Sequence, residues 1–82
     1  MTSHPSGELP RTVFGTLINL ARHNIEYAHI VENGVRIIDA RTSNHRLIIH
    51  ITPTGKTHAT HNGAYLPQHQ IKTTIQNMGE AR

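Results

Sequence analysis

The residues of this chain best suited to chemistry are its eight histidines, which occur in 82 residues without a single cysteine. The absence of cysteine excludes a disulfide framework, a thiolate zinc site and a cysteine nucleophile. Imidazole is then the only side chain present whose ordinary pKa lies near neutral pH. A neutral imidazole can take a proton from a ribose 2′-hydroxyl, and a protonated one can protonate the leaving oxygen. The first chemistry to consider is therefore phosphodiester cleavage without a metal or other cofactor.

Two of the histidines stand out because arginines flank them. His45 lies in a predicted turn and His50 in the strand that follows, with Arg41 and Arg46 nearby in the sequence. We take His45 and His50 as the candidate catalytic residues. Their spacing puts them on opposite faces of a regular strand, so a joint site requires the turn at Asn44 to reorient His45. The alternative interpretation is that both are ordinary surface histidines.

Metal binding is the other chemistry that histidines suggest. His58 and His61 form an HxxH pair, and His50 lies on the preceding strand. Residues three apart face opposite sides of a strand, however, and neither cysteine nor an HExxH motif accompanies them. We therefore predict no metal site, and we place His58 and His61 on a polar edge strand.

The charge balance favours a polyanionic partner. Eight Lys and Arg against five Asp and Glu give a formal net charge of +3, which suits an RNA or DNA backbone. Aromatic residues make up only 4% of the chain, which argues against a base-stacking platform and favours recognition of duplex backbone and 2′-hydroxyls. An ordinary solvated surface with a slight basic excess is the alternative. The expected nucleic-acid contacts are Arg41, Asn44, Arg46, Lys56, His69 and Lys72.

Nothing in the chain predicts a membrane partner or export. The longest apolar runs, such as residues 47–49, are far shorter than the ~20 residues of a membrane helix. The first residues lack the basic and apolar segments of a secretory signal. Because a small domain without disulfides suits a reducing compartment, we expect a cytoplasmic protein.

One small domain must position these residues. Residues 1–10, which contain two prolines and little apolar content, are predicted to form a flexible tail, and residues 11–79 a single domain. Apolar residues at helical spacing predict a first helix that stops at Asn24. A second helix is predicted to start near Pro67, with Gly79 as its C-terminal cap.

Between the helices the apolar pattern changes to the alternation typical of strands. Asn33-Gly34 predicts a two-residue hairpin turn, because both residues accept positive φ, and this turn pairs Glu32 with Val35. Both faces of the hairpin are mixed, so the pattern does not assign the buried one. The order of elements predicts a two-layer α+β domain, α-β-β-β-(β)-α, with an antiparallel sheet and two helices on one face. Strands are predicted at 25–32, 35–41, 46–52 and, as a polar edge, 56–60.

A family resemblance begins at the candidate histidine. Ser43-Asn44-His45-Arg46 is followed by His50, five residues after His45. With the later residues, this order makes residues 41–79 similar to the second half of HicA-type mRNA interferase toxins, whose Gly-Ser-His-His element has a histidine at the same interval. Here Arg46 replaces the second histidine, and an additional hairpin at residues 25–40 precedes the element. The later points of similarity are Thr54-Gly55-Lys56, His61, Leu66-Pro67 and Met78-Gly79.

The resemblance implies a double-stranded-RNA-binding-like fold, an endoribonuclease with His45 as its catalytic histidine, and an antitoxin of the HicB kind as partner. The first hypothesis is therefore a small basic nucleic-acid-binding protein that cleaves RNA as the toxin of a toxin–antitoxin pair.

The second hypothesis is a non-enzymatic interaction protein. It is a phage- or plasmid-encoded inhibitor of a host protein, or a homodimeric regulator. The mixed faces of the hairpin motivate it, because one of them can be buried against another chain. Strand edges at Val35 or Lys56 are the predicted places for pairing across a two-fold axis.

Overall fold

The computed structural model describes residues 11–81, in which two helices pack on one face of a five-stranded antiparallel sheet with strand order β1-β2-β3-β4-β5. The α+β class predicted from the sequence is confirmed, and the double-stranded-RNA-binding-like likeness remains a prediction. The predicted flexible tail lies outside the described residues. The elements are α1 (Arg11–Arg22), β1 (Glu26–Glu32), β2 (Val35–Arg41), β3 (Arg46–Ile51), β4 (Thr57–His61), β5 (Ala64–Leu66), a 3₁₀ turn (Gln68–Gln70) and α2 (Ile71–Ala81).

The core lies between the helices and one face of the sheet, which we call the helix-covered face. On this face Ile38 of β2 pairs with Ile49 of β3, which pairs with Ala59 of β4, and all three are buried. Paired residues of antiparallel strands point to the same side, so the alternate residues lie on the opposite, open face. The helices contribute Val13, Leu20, Ile71, Ile75 and Met78 to the same core.

The first helix ends as the sequence predicts. Asn24 adopts a φ of 57°, and its backbone N–H donates to the carbonyl of Ala21. The N–H of Ile25 donates to the carbonyl of Leu20, which completes a Schellman motif. Because Leu20 and Ile25 are both buried, this cap also directs the chain from α1 into the sheet.

The Asn33-Gly34 hairpin is confirmed with its predicted register. Asn33 has φ 54° and Gly34 has φ 80°, and Glu32 pairs with Val35. The pairing of His29 with the buried Ile38 shows which face is which: the odd-numbered residues of β1 lie on the helix-covered face. Even so, β1 stays largely exposed, because the core is centred on the other strands.

The polar strand predicted at the sheet edge lies inside the sheet. β4 pairs with β3 on one side and on the other with β5, a three-residue strand that the sequence analysis missed. Asn62 (φ 53°) and Gly63 (φ 87°) form a two-residue turn between them. The edges of the sheet are therefore β1 and β5, and the expected free edges at Val35 and Lys56 are wrong.

The predicted cap at Gly79 is also wrong, because α2 continues through this residue to Ala81. A Cβ at Gly79 would lie 2.7 Å from Cβ of His23, which follows α1. Glycine is needed here because the C-terminal ends of the two helices touch. No helix among residues 11–81 combines the length and the apolar character required to cross a membrane.

Candidate functional site

The polar residues that sequence analysis singled out around Asn44 lie at one end of the sheet, which we call the loop end. Two connections meet there: the loop of residues 42–45 between β2 and β3, and the Asn62-Gly63 turn between β4 and β5. A hydrogen bond of 2.9 Å from the backbone N–H of Thr42 to the carbonyl of His45 closes the loop. The loop is therefore a fixed turn that holds His45 immediately before β3.

Asn62 ties the two connections together. Its side-chain Oδ1 accepts a 2.8 Å hydrogen bond from the backbone N–H of Arg46, and its own backbone N–H donates to the carbonyl of Arg46 over 2.8 Å. Its Nδ2 donates to the carbonyl of Asn44 over 3.4 Å. These bonds bracket His45 on both sides, so the position of that residue depends on Asn62.

His45 and His61 form a contacting pair at the loop end. Nδ1 of His45 lies 2.9 Å from Nε2 of His61, and the rings are nearly parallel, 9° apart with centroids separated by 5.1 Å. His61 pairs across the strands with the buried Leu47, so the pair lies on the helix-covered face. One facing nitrogen donates and the other accepts, so at most one proton lies between the two rings.

Burial, and then the nearby charge of His45, lowers the pKa of His61 below its ordinary value. The shift favours the neutral form of His61, whose Nε2 can then accept a hydrogen bond from the Nδ1–H of His45. In the tautomer that donates this bond, the second nitrogen of His45, Nε2, carries a lone pair. An imidazole held in this orientation can accept a proton at Nε2.

The arginines of the loop end lie on the open face, on the other side of the sheet from the histidine pair. Arg46 donates two hydrogen bonds, of 2.9 Å and 3.3 Å, to the carboxylate of Asp39. The guanidinium of Arg41 lies farther away, 3.7 Å from the same carboxylate. The hydrogen bond from Arg46 holds the pKa of Asp39 below its ordinary value. Arg41 also faces Glu26 across the strands, so the two arginines and two carboxylates carry no formal net charge.

An open cleft of about 400 Å³ adjoins this end of the sheet. Its lining includes Arg41, Thr42 and Ser43, the three residues that precede Asn44 and His45 in the chain. The hydroxyl of Thr42 is buried and has no hydrogen-bond partner among residues 11–81. With 65% of its side chain exposed, Arg41 is the arginine available to a ligand in this cleft.

The other predicted site residues lie elsewhere. His50 lies in the middle of β3 on the open face, opposite His58, with ring centroids 6.4 Å apart. Lys56 precedes β4 at the end of the sheet opposite the loop end, and there His69 occupies the 3₁₀ turn and Lys72 the first turn of α2. The structure therefore places Arg41, Asn44, His45 and Arg46 at the loop end, with the arginines on the open face and His45 on the helix-covered face, and it separates His45 from His50.

Two residues of the site were not among the predicted ones, His61 and Asn62. The signal that identifies them is Asn62-Gly63, a dipeptide of the same type as the hairpin turn at Asn33-Gly34. Interpreted as a turn, it makes His61 the last residue of a strand, next to the loop that carries His45. Within residues 11–81 no group of three or more His, Asp or Glu residues is arranged to hold a metal ion.

Comparison of the chain with protein-family models, with curated proteins and with solved structures finds no match.

Proposed function

We propose that this protein binds RNA and cleaves it without a metal, with His45 as the general base. The observation that carries the proposal is the 2.9 Å contact between Nδ1 of His45 and Nε2 of His61. A histidine held in this way has a fixed ring orientation and a neighbour that accepts a hydrogen bond from its Nδ1. Neither feature is expected of a histidine that merely covers a surface.

The reaction that fits this pair is attack by a ribose 2′-oxygen on the adjacent phosphorus. Nε2 of His45 takes the 2′-hydroxyl proton while the new P–O bond forms and the bond to the 5′-oxygen breaks. The positive charge that develops on His45 is stabilised by the hydrogen bond from its Nδ1 to His61. The 5′-oxygen takes a proton from water or from the imidazolium, and a 2′,3′-cyclic phosphate and a 5′-hydroxyl remain.

The cleft at the loop end supplies the binding component of the proposal, although neither histidine of the pair lines it. Arg41 lies in its lining with most of its side chain exposed, and the exposed Ser43 adds a hydroxyl group beside it. These groups suit a phosphate and a ribose. Arg46 contributes less to binding than the sequence suggests, because Asp39 already occupies its guanidinium.

The test is cleavage of a labelled RNA in the presence of EDTA by the wild type, His45→Ala and His50→Ala. Loss of a general base costs about 10²–10⁴-fold in rate, so we expect that loss for His45→Ala. His50 lies on the other face of β3 and serves as the matched control, which should retain activity. No cleavage by the wild type, or equal cleavage by His45→Ala, contradicts the proposal.

The role of toxin, with a HicB-like antitoxin as partner, is supported by the resemblance of residues 41–79 alone. It has its own test, because a toxin should arrest growth when its expression is induced. We expect arrest with the wild type and none with His45→Ala, at matched protein levels. Equal growth of the two strains removes the toxin role while leaving RNA cleavage in vitro to be judged separately.

A further inference from the structure

The exposed apolar residues of the protein are concentrated on one side. Of the six large apolar side chains that are well exposed among the described residues, five lie on β1 or on α1, and Tyr65 on β5 is the exception. Their exposed fractions are between 38% and 59%, which is high for side chains of this size. The five are Phe14 (55%), Ile18 (38%), Tyr27 (41%), Ile30 (53%) and Val31 (59%).

Phe14 on α1 faces the same side as β1. α1 contacts both α2 and β1, and its residues Gly15, Thr16 and Asn19 line the groove toward α2. At 3.6 residues per turn, Phe14 lies on the opposite side of the helix from that groove, so it projects over the β1 side of the sheet. Ile18 lies on the side of the helix that faces away from the buried Val13 and Leu20.

Among residues 11–81 no strand pairs with the outer edge of β1, so its backbone is also available on this side. The turn hydrogen bond between Glu32 and Val35 means that the even-numbered residues of β1 bond to β2. The N–H and C=O groups of Tyr27, His29 and Val31 then point away from the sheet. β1 has seven residues in unbroken register and contains no proline, lysine or bulge, the usual features that protect an edge strand from pairing.

We propose that a second copy of this chain pairs with β1, antiparallel and across a two-fold axis at His29. In this register His29 faces the partner's His29, and Tyr27 faces the partner's Val31, so every outward backbone group of these three residues finds a partner. Ala28 faces the partner's Ile30 on the open face. The result is a ten-stranded sheet, over which Phe14 of one copy approaches Phe14 of the other.

The side chain at the axis already has a hydrogen-bond partner within its own copy. Nη1 of Arg36 donates a 3.3 Å hydrogen bond to Nε2 of His29, so each copy also brings one guanidinium close to the axis. The unfavourable contact of this register is Glu26 opposite the partner's Glu32, at the exposed ends of the strand. Arg41 lies beside Glu26, and salt screens the repulsion.

A second copy fits this surface better than the N-terminal residues of the same chain. Residues 1–10 contain two prolines, and only Met1 and Leu9 among them are large apolar residues. They offer neither a regular run of backbone donors nor enough apolar side chains to cover five exposed ones. β1 and α1 of another molecule offer both.

The first test is the mass of the full-length protein in solution, measured by light scattering or sedimentation. We expect twice the monomer mass, and an association that strengthens as salt is raised, the opposite of RNA binding.

Val31→Lys, checked by circular dichroism for folding, should weaken association by about tenfold or more. The matched control is Tyr65→Lys on β5, which should leave the mass unchanged. A monomeric wild type, or equal effects of the two lysines, overturns the proposal.

The second test fixes the register and uses the natural lack of cysteine. In His29→Cys the two thiols belong to directly opposed residues, with Cα atoms about 5.5 Å apart, within the range of a disulfide. In Val31→Cys the thiols are separated by four residue steps of about 3.4 Å, which is too far. Oxidation should yield a covalent dimer of the first variant alone. Cross-linking of Val31→Cys in preference to His29→Cys contradicts the register.

Discussion

The side-chain oxygen of Asn62 accepts a 2.8 Å hydrogen bond from the backbone N–H of Arg46, sixteen residues earlier in the chain. This bond joins the turn that ends β4 to the loop that begins β3. It holds His61 and His45 close enough to form their hydrogen bond. The candidate site therefore depends on Asn62, a residue to which we assign a structural role and no catalytic one.

Replacement of Asn62 should destabilise the fold in two separable parts. Asn62→Ala removes the side-chain hydrogen bonds to Arg46 and Asn44. Alanine also adopts the positive φ of 53° less readily than asparagine does. We therefore expect the free energy of unfolding to fall by about 1–3 kcal/mol. Asn62→Gly removes the same bonds but accepts this φ, so it should lose less. Urea denaturation of both variants measures the difference, and equal losses would contradict the account of the turn.

Gly79→Ala should destabilise the protein although alanine is the better helix former. Its Cβ would lie 2.7 Å from Cβ of His23, and overpacking of this kind costs about 1–3 kcal/mol, against a gain of about 1 kcal/mol in helix propensity. Gly15→Ala in α1 is the matched control, because a Cβ there meets nothing within 4 Å. It should stabilise by about 0.5–1 kcal/mol. Thermal or urea unfolding that ranks the two in the other order refutes the packing argument.

The pH dependence of stability should report the burial of His61. Because the folded-state pKa of His61 is lowered, the unfolded chain binds a proton below about pH 6.5 that the folded chain does not bind. The free energy of unfolding should therefore decrease as pH falls from about 7 through this window. His61→Gln should lack this part of the decrease. Asp39 contributes only at lower pH, near and below its ordinary pKa of 3.8, so its effect is separate. Parallel pH curves for wild type and His61→Gln contradict the lowered pKa.

Asp39→Asn should strengthen RNA binding. Asp39 neutralises Arg46 through two hydrogen bonds and lies near Arg41, so its removal gives the loop end one more positive charge. We expect tighter binding and a steeper dependence of affinity on salt, measured by fluorescence anisotropy. Glu32→Gln makes the same change of charge and serves as the control, because Glu32 lies at the end of β1 that is remote from the loop end. An equal gain from both variants indicates attraction by net charge rather than a site at the loop end.

The sequence predicted the parts of the fold that depend on neighbouring residues. Asn33-Gly34 set the first hairpin and its register, and Asn24 set the end of α1, because positive φ is a local property. β5 was missed because its three residues, Ala64–Leu66, are too few to show alternation. Gly79 was misassigned because the contact that requires glycine comes from His23, more than fifty residues away in sequence.

The candidate site was predicted in part. His45 was selected for its residue type and flanking arginines, but its partner His61 depends on the register of two strands and on a strand that was not recognised. His50 was selected with His45 for its residue type and the flanking arginines, and the alternation of β3 places it on the other face, as the spacing indicated. Arg46 has the residue type of a phosphate contact, yet Asp39 on the neighbouring strand already binds it.

The most direct test of the proposed function is cleavage of a DNA oligonucleotide that contains one ribonucleotide, in EDTA. Attack by a 2′-hydroxyl assisted by His45 predicts a single cut, immediately after the ribonucleotide, with a 2′,3′-cyclic phosphate end. The all-DNA oligonucleotide should stay intact, and His45→Ala should leave both intact. An uncut chimeric strand, or a cut that persists in His45→Ala, contradicts the role assigned to the His45–His61 pair.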